Sequence, residues 1–276
     1  MTKQPILIIG KNGKTGARVN ARLNSMGFET RAVSRSASLG FDWEDSSTWA
    51  RALEGIKSAY VTFQPDLAVP SAAATIQAFL KQAKDAGLEH IVLLSGRGEA
   101  GAQRAEEHLE QSGMDWNVVR AGWFMQNFSE SFMMQGIMAG ELVLPAGEVP
   151  EPFVDADDIA DVAVAALIQP ALRNRVFEVT GPQAMTFSDC VKEISQAAGF
   201  PITYQQVPVD AFIAFVKEQG APEEMLWLLR ELFTEVLDGR NSQTVNGVEE
   251  ALGRPATSFR DYVVKTAQTG VWDRSR

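Results

Sequence analysis

Three glycines, Gly10, Gly13 and Gly16, stand in the run ILIIGKNGKTGARVNARL, directly after an apolar stretch and directly before a helical pattern. At a strand-to-helix turn each has a separate task. The first allows a sharp bend, the second lets backbone amides approach a diphosphate, and the third lets the helix pack closely on the strand. The helix that follows opens with free N–H groups and partial positive charge, the chemistry that holds a phosphate. Asn12, Lys14 and Thr15 lie inside this turn and are its other candidate contacts; Lys11 and Lys14 add positive charge or simply face water. Glycines at this spacing also occur in unrelated tight turns, so the weight comes from the strand before and the helix after.

A dinucleotide site of this kind places an acid about 20 residues on, at the end of the second strand, when it holds the ribose hydroxyls of NAD. That place reads VSRSAS. Ser34, Arg35 and Ser36 offer two hydroxyls and a guanidinium, with no carboxylate to repel a 2′-phosphate. The expected cofactor is therefore NADP(H) rather than NAD(H). The competing reading is an arginine that only faces solvent.

These residues need a scaffold, and the chain supplies its rhythm. ILIIG, TRAVS, SAYVTF, HIVLLS and WNVVR are strand candidates. Between them lie KTGARVNARLNSMG, SSTWARALEG, PSAAATIQAFLKQAKDAG and GAQRAEEHLEQSG, helical in period and closed by glycine. Strands apolar throughout, such as ILII and IVLL, belong to parallel sheets covered on both faces. The expected fold is α/β: a Rossmann-type doubly wound parallel sheet with a smaller, mainly helical C-terminal lid domain. Residues 1–124 and 149–182 are assigned to the dinucleotide-binding core, and 125–148 and 183–276 to the lid lobe. Trp123, Phe124, Met125, Phe128, Phe132, Met133 and Met134 could line an apolar pocket or be plain core. Asn127, polar in that stretch, is a candidate for orienting substrate. ELFTEVLDG could bury its apolar face in the lobe or against another subunit.

Composition excludes several functions. The chain has 276 residues, 45% hydrophobic and 22% charged, with a net charge of −10. Such a surface disfavours nucleic acid and anionic membranes as partners and leaves a small-molecule substrate. The apolar run in MTKQPILIIG is too short for a signal core or membrane span, so the expected location is cytoplasmic. Cys190, the single cysteine, reads as a buried thiol, and His90 and His108 form no zinc pattern. Asp155, Asp157 and Asp158 begin an amphipathic helix, where capping explains them better than metal. No metal is expected.

GKNGKTG, FDWED, the serine after IVLL, SGMDWNVVRAGWFMQNF, EPFVDADDIADVAVAAL and VFEVTGPQAMTF together resemble the NmrA-like atypical short-chain dehydrogenase/reductases. More narrowly, the chain is similar to bacterial relatives of the ergot alkaloid reductases of festuclavine dehydrogenase type, nearly end to end. The resemblance implies that Asp42 holds the adenine amino group, with Trp43 packed beside it. Alternatively, FDWED caps the next helix, for which Asp45 is placed. It further implies that Phe63, Gln64 and Pro65 line the ribose and nicotinamide side, and that Ser95 sits where the superfamily keeps its catalytic serine. A strand-end hydroxyl has an equally good structural account.

One departure matters more. Most short-chain dehydrogenases use a Tyr-x-x-x-Lys pair, in which lysine lowers the pKa of a proton-donating tyrosine. Here Gln64, Pro208 and Thr266 follow Tyr60, Tyr204 and Tyr262 by four residues, and the family positions fall near Gly98 and Ala102. Carbonyl reduction loses its acid. An iminium, quinone or enone needs less help, because incoming charge is neutralised or delocalised. The sequence thus supports an NADPH-dependent reductase of such acceptors. The alternative is a non-catalytic NADP(H)-binding redox sensor with a protein partner.

Overall fold

The computed structural model of the chain describes residues 4–274. In chain order its first elements are β1 (Ile6–Ile9), α1 (Lys14–Ser25), β2 (Thr30–Val33), α2 (Trp49–Leu53), β3 (Ser58–Val61) and α3 (Ala72–Asp85). Next come β4 (His90–Gly96), α4 (Ala100–Glu110), β5 (Asp115–Ala121), α5 (Met133–Ala139), β6 (Glu141–Leu144), α6 (Ala156–Ile168) and β7 (Arg175–Val179). The last are α7 (Phe187–Ala198), β8 (Thr203–Gln206), α8 (Val209–Glu218), α9 (Glu223–Glu231), α10 (Gly247–Leu252) and α11 (Phe259–Gln268).

The chain divides into two compact units. The first comprises Met1–Ala121, Ala156–Glu178 and Gly247–Arg254; the second comprises Gly122–Asp155, Val179–Asn246 and Pro255–Arg276. The segment around α10, grouped with the C-terminal lobe on sequence grounds, packs instead on α6 in the first unit.

The first unit holds a six-stranded sheet in the order β2-β1-β3-β4-β5-β7. The β1–β2, β1–β3, β3–β4 and β4–β5 pairs are all parallel. Strand order reverses between β1 and β3, which makes the crevice at their carboxyl ends the place for a ligand. Helices α1, α6 and α10 pack together over one face, and α2, α3 and α4 over the other. This is the doubly wound Rossmann-type α/β arrangement. β1 is buried at every position, as a strand covered on both sides must be.

Ion pairs fasten α1, and the segment just after α10, to α6. Asp157 receives Arg18 at 3.2 Å and Arg22 at 2.8 Å, and Asp158 receives Arg254 at 2.7 Å. Both acids lie in the first turn of α6, where they also complement its dipole. The sequence pattern accounts for the dipole role and is silent on the arginines, which arrive from distant helices.

The second unit is built on aromatic packing. Phe128, Phe153, Phe187, Phe233, Phe259, Tyr262 and Trp272 share one core. Each such side chain contributes roughly 1.5–3 kcal/mol by leaving water. Two of its polar tips find partners in the core: Tyr262 donates to Ser129 Oγ at 2.8 Å and Trp272 Nε1 to the Phe128 carbonyl at 3.1 Å. Phe233, Val236 and Leu237 of ELFTEVLDG are buried within this unit, in a π-helical turn, Leu232–Val236, that extends α9. The unit also contains a parallel pair, β6 with β8, that the sequence reading passes over. ELVL alternates exposed and buried positions, and TYQQ is too polar to stand out as a strand. Among the described residues no helix is long and apolar enough to cross a membrane.

Candidate functional site

The glycine turn binds itself to the end of β2 before it binds anything else. Gly10 and Lys11 both donate to the Val33 carbonyl at 3.1 Å. Gly10 has φ +85°, a conformation that L side chains rarely adopt, and a methyl on it would overlap the Thr62 hydroxyl. A methyl on Gly16 would overlap the Gly10 carbonyl, and one on Gly13 would sit 3.3 Å from that same oxygen. Gly13 caps α1 without a side chain, and the first turn of α1 carries no acid. The positive end of the helix dipole is thereby left to an anion from elsewhere.

Asn12 joins the turn to the end of β2: its Nδ2 donates to Ser34 Oγ at 3.1 Å and Ser36 Oγ at 3.2 Å. Arg35, between those serines, is exposed. Thr15 is buried, its side chain beside the fully buried Tyr60, whose phenol is pushed far up by burial while Thr15 pulls the other way. Thr15 can therefore serve an anion through its backbone.

The adenine candidates gather in an aromatic wall of the same unit. Phe41 and Trp49 are buried, and half-buried Trp43 lies 5.0 Å from the Phe63 ring, centroid to centroid. The Trp43 indole donates to the Thr62 carbonyl at 3.0 Å, which fixes the ring. Asp42 is half-buried, and its carboxylate accepts the Glu44 N–H at 3.1 Å. Asp45 caps as anticipated, receiving the Ser47 N–H at 3.0 Å, although it caps a single 3-10 turn, Ser46–Thr48, that leads into α2. Phe63 is half-buried, and Gln64 and Pro65 are exposed beyond β3.

Ser95 lies near the end of β4 and is 4% exposed. Its hydroxyl donates to Glu106 Oε1 at 2.5 Å. The same oxygen accepts Arg120 Nε at 3.0 Å, and Glu106 Oε2 pairs with Arg120 Nη2. Arg120 also meets Glu178 at 3.5 Å, and Glu178 takes Arg97 Nε at 2.6 Å. Sequence reasoning missed this network of Glu106, Arg120, Glu178 and Arg97. One signal could have found it: Glu106 occupies the buried face of α4 with Ala102, Ala105 and Leu109, where a carboxylate must find a cation. Gly98 and Ala102 bring no proton-moving group.

Two further carboxyls meet past the ends of β3 and β4. The Glu99 carboxyl lies where a side chain on Gly96 would be. Burial raises the Asp66 carboxyl above its ordinary value, against hydrogen bonds from the Ala68 N–H and with Glu99.

In the second unit, Asn127 is half-buried in the turn Met125–Phe128, and its carbonyl accepts the Ser131 hydroxyl at 2.7 Å. Met125, Phe128 and Met133 are core, whereas Phe132 is 51% exposed. The apolar run thus contributes much of its substance to packing. Cys190 is fully buried, and burial pushes its thiol well up, the state of an inert thiol.

The sheet order and the glycine turn define an α/β protein of the dinucleotide-binding class. Residues 102–262 match the NmrA-like family, and the chain belongs to that family. It is 29% identical to an NAD(P)H azoreductase of Xenophilus azovorans, covering 93% of this chain and 96% of that one. It is 26% identical to the agroclavine dehydrogenase of Claviceps fusiformis, covering 94% and 96%. The crystal structure of an NADPH-dependent quinone oxidoreductase from Escherichia coli, complexed with NADPH, superposes with a TM-score of 0.78 at 21% identity. That match covers 94% of this chain and 99% of the other, and the likeness is one of fold.

Proposed function

We propose that this protein is an NADPH-dependent reductase that transfers hydride to a conjugated or cationic small molecule such as an iminium, quinone or enone. One observation carries the reading: an uncapped helix start, closed against Gly10 so tightly that only glycine fits at Gly16, stands beside the Ser34–Ser36 segment. The turn fits a diphosphate, and the hydroxyl and guanidinium groups of Ser34, Arg35 and Ser36 fit a 2′-phosphate. Membership of the NmrA-like family supports the same assignment, as do relatives named as an azoreductase and an agroclavine dehydrogenase.

In this reading NADPH supplies the hydride. The amides opening α1 hold its diphosphate, Asn12 keeps Ser34 and Ser36 in place, and Trp43 and Phe63 offer a flat surface to the adenine. The chain brings no Tyr-x-x-x-Lys pair, so the acceptor must stabilise its own incoming charge. An iminium becomes a neutral amine on gaining hydride, and a quinone spreads the charge and takes a proton from water.

The test is a fluorescence titration with NADPH and NADH, followed by NADPH oxidation against a panel of iminium ions, quinones and enones. Tighter binding of NADPH and turnover of at least one acceptor class are expected. Tight binding with no turnover across the panel would favour the redox sensor instead.

A further inference from the structure

The turns that follow the neighbouring strands β3 and β4 are locked to each other. The Ala68 carbonyl of the first turn presses on Gly101, at the start of α4, so closely that a methyl there would overlap it. Beside this contact the Asp66 carboxyl accepts the Ala68 N–H at 2.8 Å and makes a hydrogen bond with the carboxyl of Glu99, itself 6% exposed. Two carboxylates have no hydrogen between them. A hydrogen bond that joins them holds one shared proton, and the pair titrates as a unit. The root of the first turn is Thr62. Its hydroxyl donates to the Ile9 carbonyl at 3.1 Å beside Gly10, and its carbonyl accepts the Trp43 indole N–H at 3.0 Å. One short segment therefore meets the glycine turn and the aromatic wall at one end and the carboxyl pair at the other.

Resting on the cofactor assignment above, we infer that Asp66 and Glu99 form a proton-operated clasp, which holds the dinucleotide crevice in shape while the pair keeps its proton and loosens it when that proton is lost. Burial raises the Asp66 carboxyl, so the pair stays protonated above the ordinary aspartate value of about 3.9. Once the proton leaves, two negative charges in contact repel. Asp66, which is only half-buried, turns toward water, the first turn lifts from α4, and Thr62 loses its brace. The form that binds cofactor is the protonated one. Affinity is therefore full below the pair's own value and falls as pH rises through it, and binding takes up a proton. The charges on the surrounding elements leave the pair to itself. Arg97 is held by Glu178 and Glu106 by Arg120, while Arg104 and Glu107 are exposed on α4. On α3 the charges Lys81, Lys84 and Asp85 lie at the far end of the helix, and none of these groups is among the causes acting on Asp66. Asp66 and Glu99 are positioning residues, since they act on the cofactor only through the turn that starts at Thr62.

The experiment measures NADPH affinity by fluorescence titration between about pH 5 and about pH 9 for the wild type, Asp66→Asn and Glu99→Gln. Each amide keeps a hydrogen to give the remaining carboxylate and cannot titrate. The 2′-phosphate ionises alike in all three, so the wild-type affinity is divided by that of each variant at the same pH. That ratio should fall with rising pH, by up to about tenfold per unit inside the window of the pair and by roughly fivefold or more across the range. Titration calorimetry with NADH, which has no 2′-phosphate, should show the wild type taking up protons on binding and Asp66→Asn taking up fewer. A ratio that stays constant would overturn the inference, including the case in which both variants bind more weakly by one factor at every pH, as a merely structural role requires. Equal proton uptake in the wild type and Asp66→Asn would overturn it as well. Should neither variant fold, the wild type still decides: binding of NADH without proton uptake at any pH removes the clasp. Failure of the wild type to bind either nicotinamide cofactor would sink the cofactor assignment itself, an outcome separate from binding that ignores pH.

Discussion

Asn117 donates both of its amide hydrogens, to the Leu172 carbonyl at 2.7 Å and the Arg175 carbonyl at 3.1 Å, which turns its oxygen toward His90 Nε2 at 3.0 Å. That oxygen can only accept, so His90 carries its hydrogen on Nε2 and is held neutral inside the sheet. Burial lowers its pKa, and the Arg173 charge adds to the effect, while Asn117 and Asp115 oppose it. The folded state therefore binds this proton less readily than the unfolded chain. The contribution is fully present above the ordinary histidine value near 6.5 and is lost as pH falls from there toward the lowered folded value, at about 1.4 kcal/mol per unit of depression. Urea denaturation at neutral pH and near pH 5 should show a smaller loss of stability in His90→Gln than in the wild type. Equal losses would refute a neutral buried histidine.

Gly16→Ala should damage both stability and cofactor binding. Its methyl would overlap the Gly10 carbonyl, which belongs to backbone and cannot swing aside. Relieving the overlap moves α1 from the strand at a cost of about 1–3 kcal/mol and withdraws its amides from the diphosphate. Thermal melts with and without NADPH check this: both the melting temperature and the shift on adding NADPH should fall. A variant with an unchanged ligand-induced shift would argue that the turn does not hold the cofactor.

Arg35→Ala separates the two nicotinamide cofactors. The side chain is exposed, so its loss should leave folding alone. NADPH binding should weaken by about 1.5–3 kcal/mol through the lost charge-assisted contact, with NADH nearly unaffected. Parallel fluorescence titrations provide the measurement, and equal weakening of both cofactors would remove the 2′-phosphate role.

Arg254→Ala tests the fastening of the segment just after α10 to α6. Asp158 is 1% exposed beneath Arg254, while the arginine is 42% exposed. Removing the cation takes one counter-charge from a buried carboxylate, for which roughly 1–3 kcal/mol of destabilisation is expected. Urea denaturation of Arg254→Ala beside Arg254→Lys reads the effect. A loss below about 0.5 kcal/mol, typical of a surface substitution, would mean that Asp158 is satisfied in another way.

The glycine turn was legible because its requirement is local. A strand, three residues without side chains and a helix follow one another in sequence, and the order alone implies amides aimed at one point. The serines at the end of β2 were legible for the same reason, by their distance along the chain from the turn. Asn12 was less so, because its bonds to Ser34 and Ser36 depend on β2 pairing with β1. The network around Ser95 left one trace in the sequence, Glu106 on the apolar face of α4. Its partners were illegible, because Arg120 comes from β5 and Glu178 from β7, and each reads singly as an ordinary charge. The polar strand TYQQ likewise has no pattern of its own and becomes a strand only by pairing with ELVL.

The amino-acid order by itself determined the alternation of strands and helices, the doubly wound class and the glycine turn, since periodicity and glycine placement act over a few residues. Only the tertiary structure decided which way the Ser95 proton points, where Thr15 turns its side chain, and that α10 rests on α6. Those outcomes depend on which distant side chains share a low-dielectric space, where a hydrogen-bond donor or a charge must take whatever partner the packing brings.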